Sequence, residues 1–314
     1  MGRAPALPRK GLGVVPGGSA GRYHSPLRYP GGKGKVANYF KVLLMENDLL
    51  GIDYVEPYAG GASVALSLLY EDYVGHIHIN DLNAGVHAFW HAALHQTGEL
   101  CRRIETTQVT MDEWRRQRDV YRAGAADPLD LAFAVFFLNR TNRSGIIAGG
   151  VIGGQQQTGA WKLDARYNTT ELVKRIRKIG RHRDRITLTH LDAAALLEQG
   201  VTSADDVFFY LDPPYFVKGE GLYDNFYAAE DHQAVATAVL ALEHPWVVSY
   251  DAAPEIIQMY GAARSIRYRL SYSAHERQAG SEVMFYSDDL GIPDDLPAGI
   301  SMHAVDAARA TATP

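Results

Sequence analysis

Apolar positions along this chain follow two periods, and the two alternate. Short apolar or period-two runs occur at 53–56, 76–80, 185–191, 207–210, 245–250, 265–271 and 282–287. Their β-branched and aromatic content, with the turn or acidic residues that close them, predicts strands. Between them, 36–44 and 64–70 carry a helical pattern, and the apolar run 131–138 reads as a further helix. Thr110-Met111-Asp112-Glu113 has the side chains of a capping box, so a helix is predicted to open there. Strands alternating with helices predict an α/β chain. Residues 98–184 interrupt the alternation with a mainly helical pattern, which predicts a subdomain inserted into a main domain made of 25–97 and 185–290. Residues 1–24 and 291–314 are rich in Gly, Pro and Ala and are expected to be tails. The stretch 145–159, dominated by glycine and glutamine, is expected to be a flexible loop.

The run 207–210 ends in Leu211-Asp212-Pro213-Pro214-Tyr215. A carboxylate and a carbonyl fixed by two prolines can accept both hydrogens of a planar amine, while Tyr215 offers a stacking face for the ring that carries it. Two prolines also stop a strand without any such task. Further up the chain, Glu56-Pro57-Tyr58-Ala59-Gly60-Gly61-Ala62-Ser63 takes a strand through a glycine turn into a helix, where backbone can approach a ligand closely. The next strand ends at Asn80-Asp81, about 20 residues on, where nucleotide-binding α/β folds hold a ribose hydroxyl pair. Either piece alone is also an ordinary βα turn or a surface aspartate. The chain has neither the dinucleotide glycine fingerprint nor a phosphate-cradling loop closed by Lys-Ser or Lys-Thr. A nucleoside without polyphosphate fits, and S-adenosylmethionine is the candidate ligand. Upstream, Arg28-Tyr29-Pro30-Gly31-Gly32-Lys33 is a turn in which Lys33 can meet a carboxylate and Tyr29 a ring or methyl-donor face. As structure alone it is a Pro-Gly-Gly turn with a solvated lysine.

In chain order, Arg28 to Lys33, Glu56 to Gly61, Asn80-Asp81, Phe137-Leu138-Asn139-Arg140 with Ser144-Gly145, and Asp212 to Tyr215 resemble the Dam-like, D12-class DNA adenine-N6 methyltransferases over about 25–287. The resemblance implies a class I S-adenosylmethionine-dependent methyltransferase sheet, Rossmann-like α/β, with an inserted, mainly helical DNA-recognition subdomain. It implies methyl transfer from S-adenosylmethionine to adenine N6 at specific sites in double-stranded DNA, with the base flipped out of the helix. Carried over along the matching motifs, Tyr29, Lys33, Asp81 and Asp212 line the donor pocket, with Glu56, Tyr58 and Gly60 beside them. Asp192, at another strand end, is assigned to the donor's adenine and is equally suited to cap a helix at 193–197. Asp212, Pro213, Pro214 and Tyr215 hold the target base. Tyr223, Phe226 and Tyr227 form an aromatic segment suited to close over it, although core packing is an equal role for Phe226. Two departures are visible: Tyr29 stands where some members carry tryptophan, and Gly60 and Gly61 are consecutive rather than separated. Neither removes a charge or hydrogen-bonding group that the chemistry requires. Aspartate before Pro-Pro favours adenine over cytosine N4 or an RNA amine. Intact Lys33, Asp81 and Asp212 weigh against a catalytically inactive DNA-binding homologue.

Composition changes this picture in a few places. At 314 residues and 46% hydrophobic content, one α/β domain with an insert fits better than two equal domains. A net charge of -5 weighs mildly against a nucleic-acid partner, since phosphate binding usually leaves a basic footprint. Its distribution restores the case, because 171–190 holds seven basic side chains against two acidic ones. Lys174, Arg175 and Arg177 are therefore expected DNA contacts, although a solvated helix with Ile176 and Ile179 on its buried side reads the same way. Arg115, Arg116, Arg118 and Arg122 form a second basic face. Asn139, Arg140 and Arg143 carry the forked donors and amides that suit phosphate or base edges, while Asn139 and Arg140 equally suit bracing of the following loop. Gln155, Gln156 and Gln157 receive no specificity role.

His87, His91 and His95 at helical spacing are the strongest metal candidate; without a nearby Cys or acidic motif they read as a helix surface, and no metal is expected. The single cysteine, Cys101, excludes an internal disulfide. No apolar run reaches membrane-spanning length, and the first residues lack a signal-peptide core. A cytoplasmic monomer or weak dimer is expected, with duplex DNA as partner and room for a cognate restriction endonuclease.

Overall fold

The computed structural model describes residues 24–28, 36–200, 206–217, 227–270, 282–293 and 300–303. Strands β1 (Asp53–Glu56), β2 (His76–Asn80), β3 (Ile186–Thr189), β4 (Val207–Leu211) and β5 (Trp246–Asp251) pair in parallel, in the order β3-β2-β1-β4-β5. Every position of β4 is buried, as it must be for a strand covered on both faces, so its sequence is a continuous apolar run rather than an alternation. Beyond β5 the direction reverses. There β7 (Glu282–Tyr286) runs antiparallel to β5, and β6 (Arg264–Leu270) and β8 (Ile300–His303) complete a sheet of eight strands among the described residues, in the order β7-β6-β8. The seven strands expected from the pattern are all present. The eighth lies within 291–314, where a tail was expected. An edge strand of four residues needs only main-chain partners along one side, and its pattern is too short to register in sequence.

Alternate residues of the strands feed two cores. Tyr54, Ile77, Phe208, Tyr210 and Val247 join one core, together with Phe40 of α1 (Ala37–Glu46), Leu66 of α2 (Ser63–Tyr70) and Phe89 of α3 (Ala84–His95). Val55, Phe209, Leu211 and Val248 join the other, with Leu196 of α8 (Ala193–Gln199), Val235 of α9 (Ala229–Leu240) and Ile256 of α10 (Pro254–Met259). Each large side chain taken fully from water contributes about 1.5–3 kcal/mol, which is what fixes the strand register.

Four helices stand between α3 and β3: α4 (Thr97–Thr106), α5 (Met111–Ala123), α6 (Pro128–Thr141) and α7 (Thr169–Arg181). They share the first core through Ile104, Trp114, Phe136 and Ile176. A Cβ on Gly85 would lie 2.6 Å from the Val135 side chain, so glycine sets how closely α3 and α6 approach. Thr110 caps α5 by accepting from the Glu113 amide at 3.2 Å, as its sequence predicts. Asp127 caps α6, with Pro128 next to it in the first turn where its missing N–H costs nothing.

The connection from α6 to α7 is held in place rather than free, contrary to the expectation for 145–159. The Asn142 amide donates to the carbonyls of Ile146 and Ile147 at 3.0 and 2.8 Å. Gln157 donates to Ile152 and Gly154 and accepts from the Leu163 amide at 2.9 Å. The Lys162 ammonium bonds the Gln157 and Gly159 carbonyls. Order built from side chain to main chain bonds leaves no hydrophobic period, so the sequence shows only its glycines and glutamines.

Candidate active site

Strand order leaves β1 in two directions, toward β2 and β3 on one side and β4 and β5 on the other. In open α/β sheets the crevice beyond the carboxyl ends at such a switch point is the ligand site. The glycine turn after β1 and the Asp-Pro-Pro-Tyr segment after β4 flank it.

On the β1 side, short-range bonds hold the turn. Gly60 and Ala62 both take positive φ, 44° each, as the chain bends from β1 into α2. The Gly60 amide donates to Asp81 at 2.8 Å, and the Trp90 indole donates to the Gly60 carbonyl at 2.9 Å. Asp81 also accepts from the Asn83 amide at 2.9 Å, so its carboxylate ties the end of β2 to the turn. Burial pushes its pKa up to about 6, against the lowering effect of those two amides and of His190. Asn80, fully buried, donates to the Pro57 and Leu191 carbonyls at 2.9 Å each and stitches the ends of β1, β2 and β3 together.

Glu56 turns into the protein and accepts from the Ala65 amide at 3.2 Å, in the first turn of α2, whose N-terminus attracts a carboxylate. Burial, with the Asp212 charge adding to it, holds the Glu56 pKa well above the usual carboxylate range. The Tyr58 hydroxyl donates to that of Tyr227 at 3.2 Å. The Tyr227 pKa is pushed up to about 12, by burial first and then by the charges of Asp192, Asp231 and Asp81. Asp192 caps α8 by accepting from the Ala194 amide at 2.9 Å, so the capping role weighed from sequence is present at the end of β3. Tyr29, Lys33, Tyr223 and Phe226 lie outside the described residues.

On the β4 side, the holding groups come from distant strands. Ser249 of β5 donates to Asp212 at 2.7 Å, and Tyr210 bonds Ser249 at 2.9 Å, so a buried hydroxyl pair orients the carboxylate. Asp251, at the end of β5, accepts from the amides of Phe216 and Val217 at 2.9 and 3.1 Å. Glu282 of β7 accepts from the Tyr215 hydroxyl at 3.1 Å. Three points of one short segment are thereby fixed: its carboxylate, its ring and the backbone that follows. The sequence pattern pointed to Asp212, Pro213, Pro214 and Tyr215 but to none of Ser249, Asp251 or Glu282. Only the alternation of β5, which places Ser249 and Asp251 on one face, hints at two of them.

The basic residues named from sequence divide into different groups. Asn139 is buried and clamps Arg28 from both sides, accepting from its amide at 2.7 Å and donating to its carbonyl at 2.6 Å, with a further bond to the Gly145 carbonyl at 2.8 Å. Bracing, rather than contact with a ligand, is the role this geometry gives it. Gly145, at φ 80°, lies so close beneath Arg28 that a side chain there would collide with it. Arg140 donates to the Arg166 carbonyl at 2.8 Å. Burial pushes its pKa down to about 9, and the nearby charges of Arg28, Arg175 and Arg166 push the same way. Crowded guanidinium groups of this kind suit an anion. Arg175 reaches back from α7 to the Ser25 carbonyl at 3.1 Å and belongs to this group.

Lys174 and Arg177 instead line an open groove of about 390 Å³ between α4 and α7, where Arg177 pairs with Glu105 at 2.9 Å. Arg143 is exposed beside Gly150. Two of the four arginines of the second basic face expected on α5 are paired within their own helix, Arg115 with Asp112 and Arg116 with Glu113. Trp161, 71% exposed on the held loop beside Lys162, is a candidate surface group that its pattern did not single out.

His87 and His190 stack at 4.6 Å, with His91 and His95 following along α3. Among the described residues no group of His, Cys, Asp and Glu could hold a metal ion. Nor, among them, is any helix long and apolar enough to cross a membrane.

The family model described as D12 class N6 adenine-specific DNA methyltransferase matches residues 29–279. No curated protein matches the chain. Among solved structures, a conserved hypothetical protein of Streptococcus pyogenes is similar over 81% of this chain and 94% of its own, at 11% identity and a TM-score of 0.32. SMU.472, described as a candidate methyltransferase complexed with SAH, is similar over 60% of this chain and 55% of its own, at 9% identity and a TM-score of 0.26.

Proposed function

The chain belongs to the D12 class of N6 adenine-specific DNA methyltransferases, and we propose that it methylates the N6 amino group of an adenine flipped out of duplex DNA at a defined sequence, with S-adenosylmethionine as donor. Its sheet is a class I methyltransferase sheet, extended by the edge strand β8. The observation that carries the proposal is the Asp212 carboxylate, held by Ser249 at the end of β4 and directly across the switch point from the glycine turn.

When bound, S-adenosylmethionine supplies a methyl group on a positively charged sulfur. Around it, Asp81 and Asp192 offer acceptors at the ends of β2 and β3 that suit hydroxyl and amino groups of a nucleoside. Gly60 offers close backbone, and Tyr58 an aromatic wall. Glu56 acts from behind, by fixing α2 and by crowding Asp212. Tyr29 and Lys33, outside the described residues, are assigned to the donor by the family resemblance alone.

An exocyclic adenine nitrogen is a poor nucleophile because its lone pair is delocalised into the ring. Asp212 and the Pro213 carbonyl accept its two hydrogens, and both bonds strengthen as positive charge grows on nitrogen, which is selective stabilisation of the transition state. Pro214 stiffens the carbonyl's position, and Tyr215 stacks on the base. The amino group of a paired adenine lies inside the duplex stack, so the base leaves the stack to reach this pocket. Holding the base fixed beside the donor's methyl group would supply further acceleration.

Residues 98–184 are proposed as the DNA-recognition part. The Arg140, Arg166 and Arg175 group of this part, with Arg28 beside it, meets phosphate; Arg143 and, on the groove side of α7, Lys174 and Arg177 are further contacts, and Asn139 braces from within. Nucleoside mass spectrometry of unmethylated duplex DNA, incubated with the purified protein and S-adenosylmethionine, tests the proposal. N6-methyldeoxyadenosine is expected; N4-methyldeoxycytidine, or no product, would overturn it.

A further inference from the structure

We propose that Glu282 is a positioning residue for base capture, its carboxylate fixing the plane of the Tyr215 ring that stacks on the target adenine. This rests on the reading of the Asp212 segment given above.

Glu282 opens β7 and is 4% exposed. One carboxylate oxygen accepts from the Tyr215 hydroxyl at 3.1 Å and the other from the Tyr268 hydroxyl at 2.6 Å. Tyr268 sits directly opposite Glu282 in the β6–β7 pairing, so one phenol comes from the sheet and the other from the loop after β4. Burying a carboxylate is costly, and an apolar pair would join two neighbouring strands as well or better. A carboxylate at this place does more than join two strands, because its other oxygen reaches the loop after β4.

What that bond does follows from where Tyr215 stands. Its main chain is fixed on one side by Pro213 and Pro214, and on the other by Asp251, which accepts from the Phe216 and Val217 amides. With the hydroxyl also held, the ring is tethered at both ends and cannot rotate away from the place the base must occupy. Pre-organising a stacking face removes an ordering cost that would otherwise fall on capture of the flipped base. The effect therefore belongs to the DNA step and leaves the donor side untouched, since the donor groups Gly60, Asp81 and Tyr58 make none of these bonds. Glu282 acts through Tyr215 and touches no reacting atom.

A double-mutant cycle on the full-length protein reads this out. Glu282→Gln, Tyr215→Phe and the double variant are compared for kcat and KM on duplex DNA, for donor affinity, and for fluorescence of 2-aminopurine placed at the adenine that the parent protein methylates. Each single variant is expected to lower kcat/KM about tenfold, the scale of one hydrogen bond to a charged group, and to weaken the 2-aminopurine signal. Donor affinity should stay within about twofold, and the double variant should be no worse than the worse single one.

Losses that multiply to about a hundredfold, or a parallel loss of donor affinity, would overturn the proposal and make Glu282 a strut of the sheet. If Glu282→Gln fails to fold, Tyr215→Phe still decides the matter, because it leaves β7 unchanged; a full 2-aminopurine signal there would overturn it. A parent protein that methylates no adenine would instead sink the function on which the proposal rests.

Discussion

The two sides of the switch point are held by different means. On the β1 side, Asp81, Asn80 and Trp90 bind a turn about 20 to 30 residues away by sequence, mostly through backbone amides and carbonyls. On the β4 side, Ser249, Asp251 and Glu282 hold a segment from 34 to 67 residues away, and two of those bonds run from side chain to side chain. A donor that is the same molecule in every turnover needs a rigid cradle, which local backbone bonds provide. On the function proposed above, a base arriving from a duplex would need a carboxylate and a ring kept in a fixed attitude, which side chains from elsewhere in the sheet supply.

If this division is correct, changes on the β4 side should spare the donor. Ser249→Ala removes the hydroxyl that orients Asp212, a charge-assisted bond of about 1.5–3 kcal/mol, and should lower kcat roughly ten- to hundredfold at unchanged donor affinity. Equal losses in both, by turnover and by calorimetric titration of donor, would merge the two sides into one. On the β1 side the expected effect is smaller and depends on pH. Asp81 is protonated below about pH 6 because burial raises its pKa, and the neutral form is a weaker acceptor for ribose hydroxyls. Donor affinity should therefore fall severalfold as pH drops through 6, and a flat titration from pH 5 to 8 would remove Asp81 from the donor's contacts.

The arginine group lies outside both cradles. Arg140→Ala should weaken duplex binding and reduce the slope of log affinity against log salt by about 1, whereas Arg116→Ala, whose guanidinium is already paired with Glu113, should leave the slope unchanged. Equal slopes for the two variants would dissolve the distinction between crowded and paired arginines. The smallest expected effect is optical. Trp90, Trp114 and Trp246 are buried and Trp161 is exposed, so quenching of intrinsic fluorescence by added duplex would report the held loop at the DNA. An unquenched spectrum at saturating DNA would place that loop away from it.

Much of the sheet was legible because burial writes itself into sequence. The apolar run of β4 and the alternating β2 could be read as strands, and the motifs at their ends fell on the switch point. What could not be read depends on pairing. Glu282 meets Tyr215 only because β7 is antiparallel beside β5, which no spacing along the chain reveals. The order of the Gln157 loop rests on side chain to backbone bonds and has no period. The basic run 171–190 misled in another way: its count suggested one surface, while the turn of α7 sends Arg175 toward Arg140, and Lys174 and Arg177 toward Glu105. Helical spacing alone would have separated them.

The most direct test is to measure donor binding and methyl transfer side by side for Asp212→Ala. Donor affinity within a few-fold of the parent protein, with N6-methyldeoxyadenosine formation reduced at least about a thousandfold, is the predicted result. Near-normal methylation, or donor binding lost together with it, would contradict a base-holding carboxylate at the end of β4.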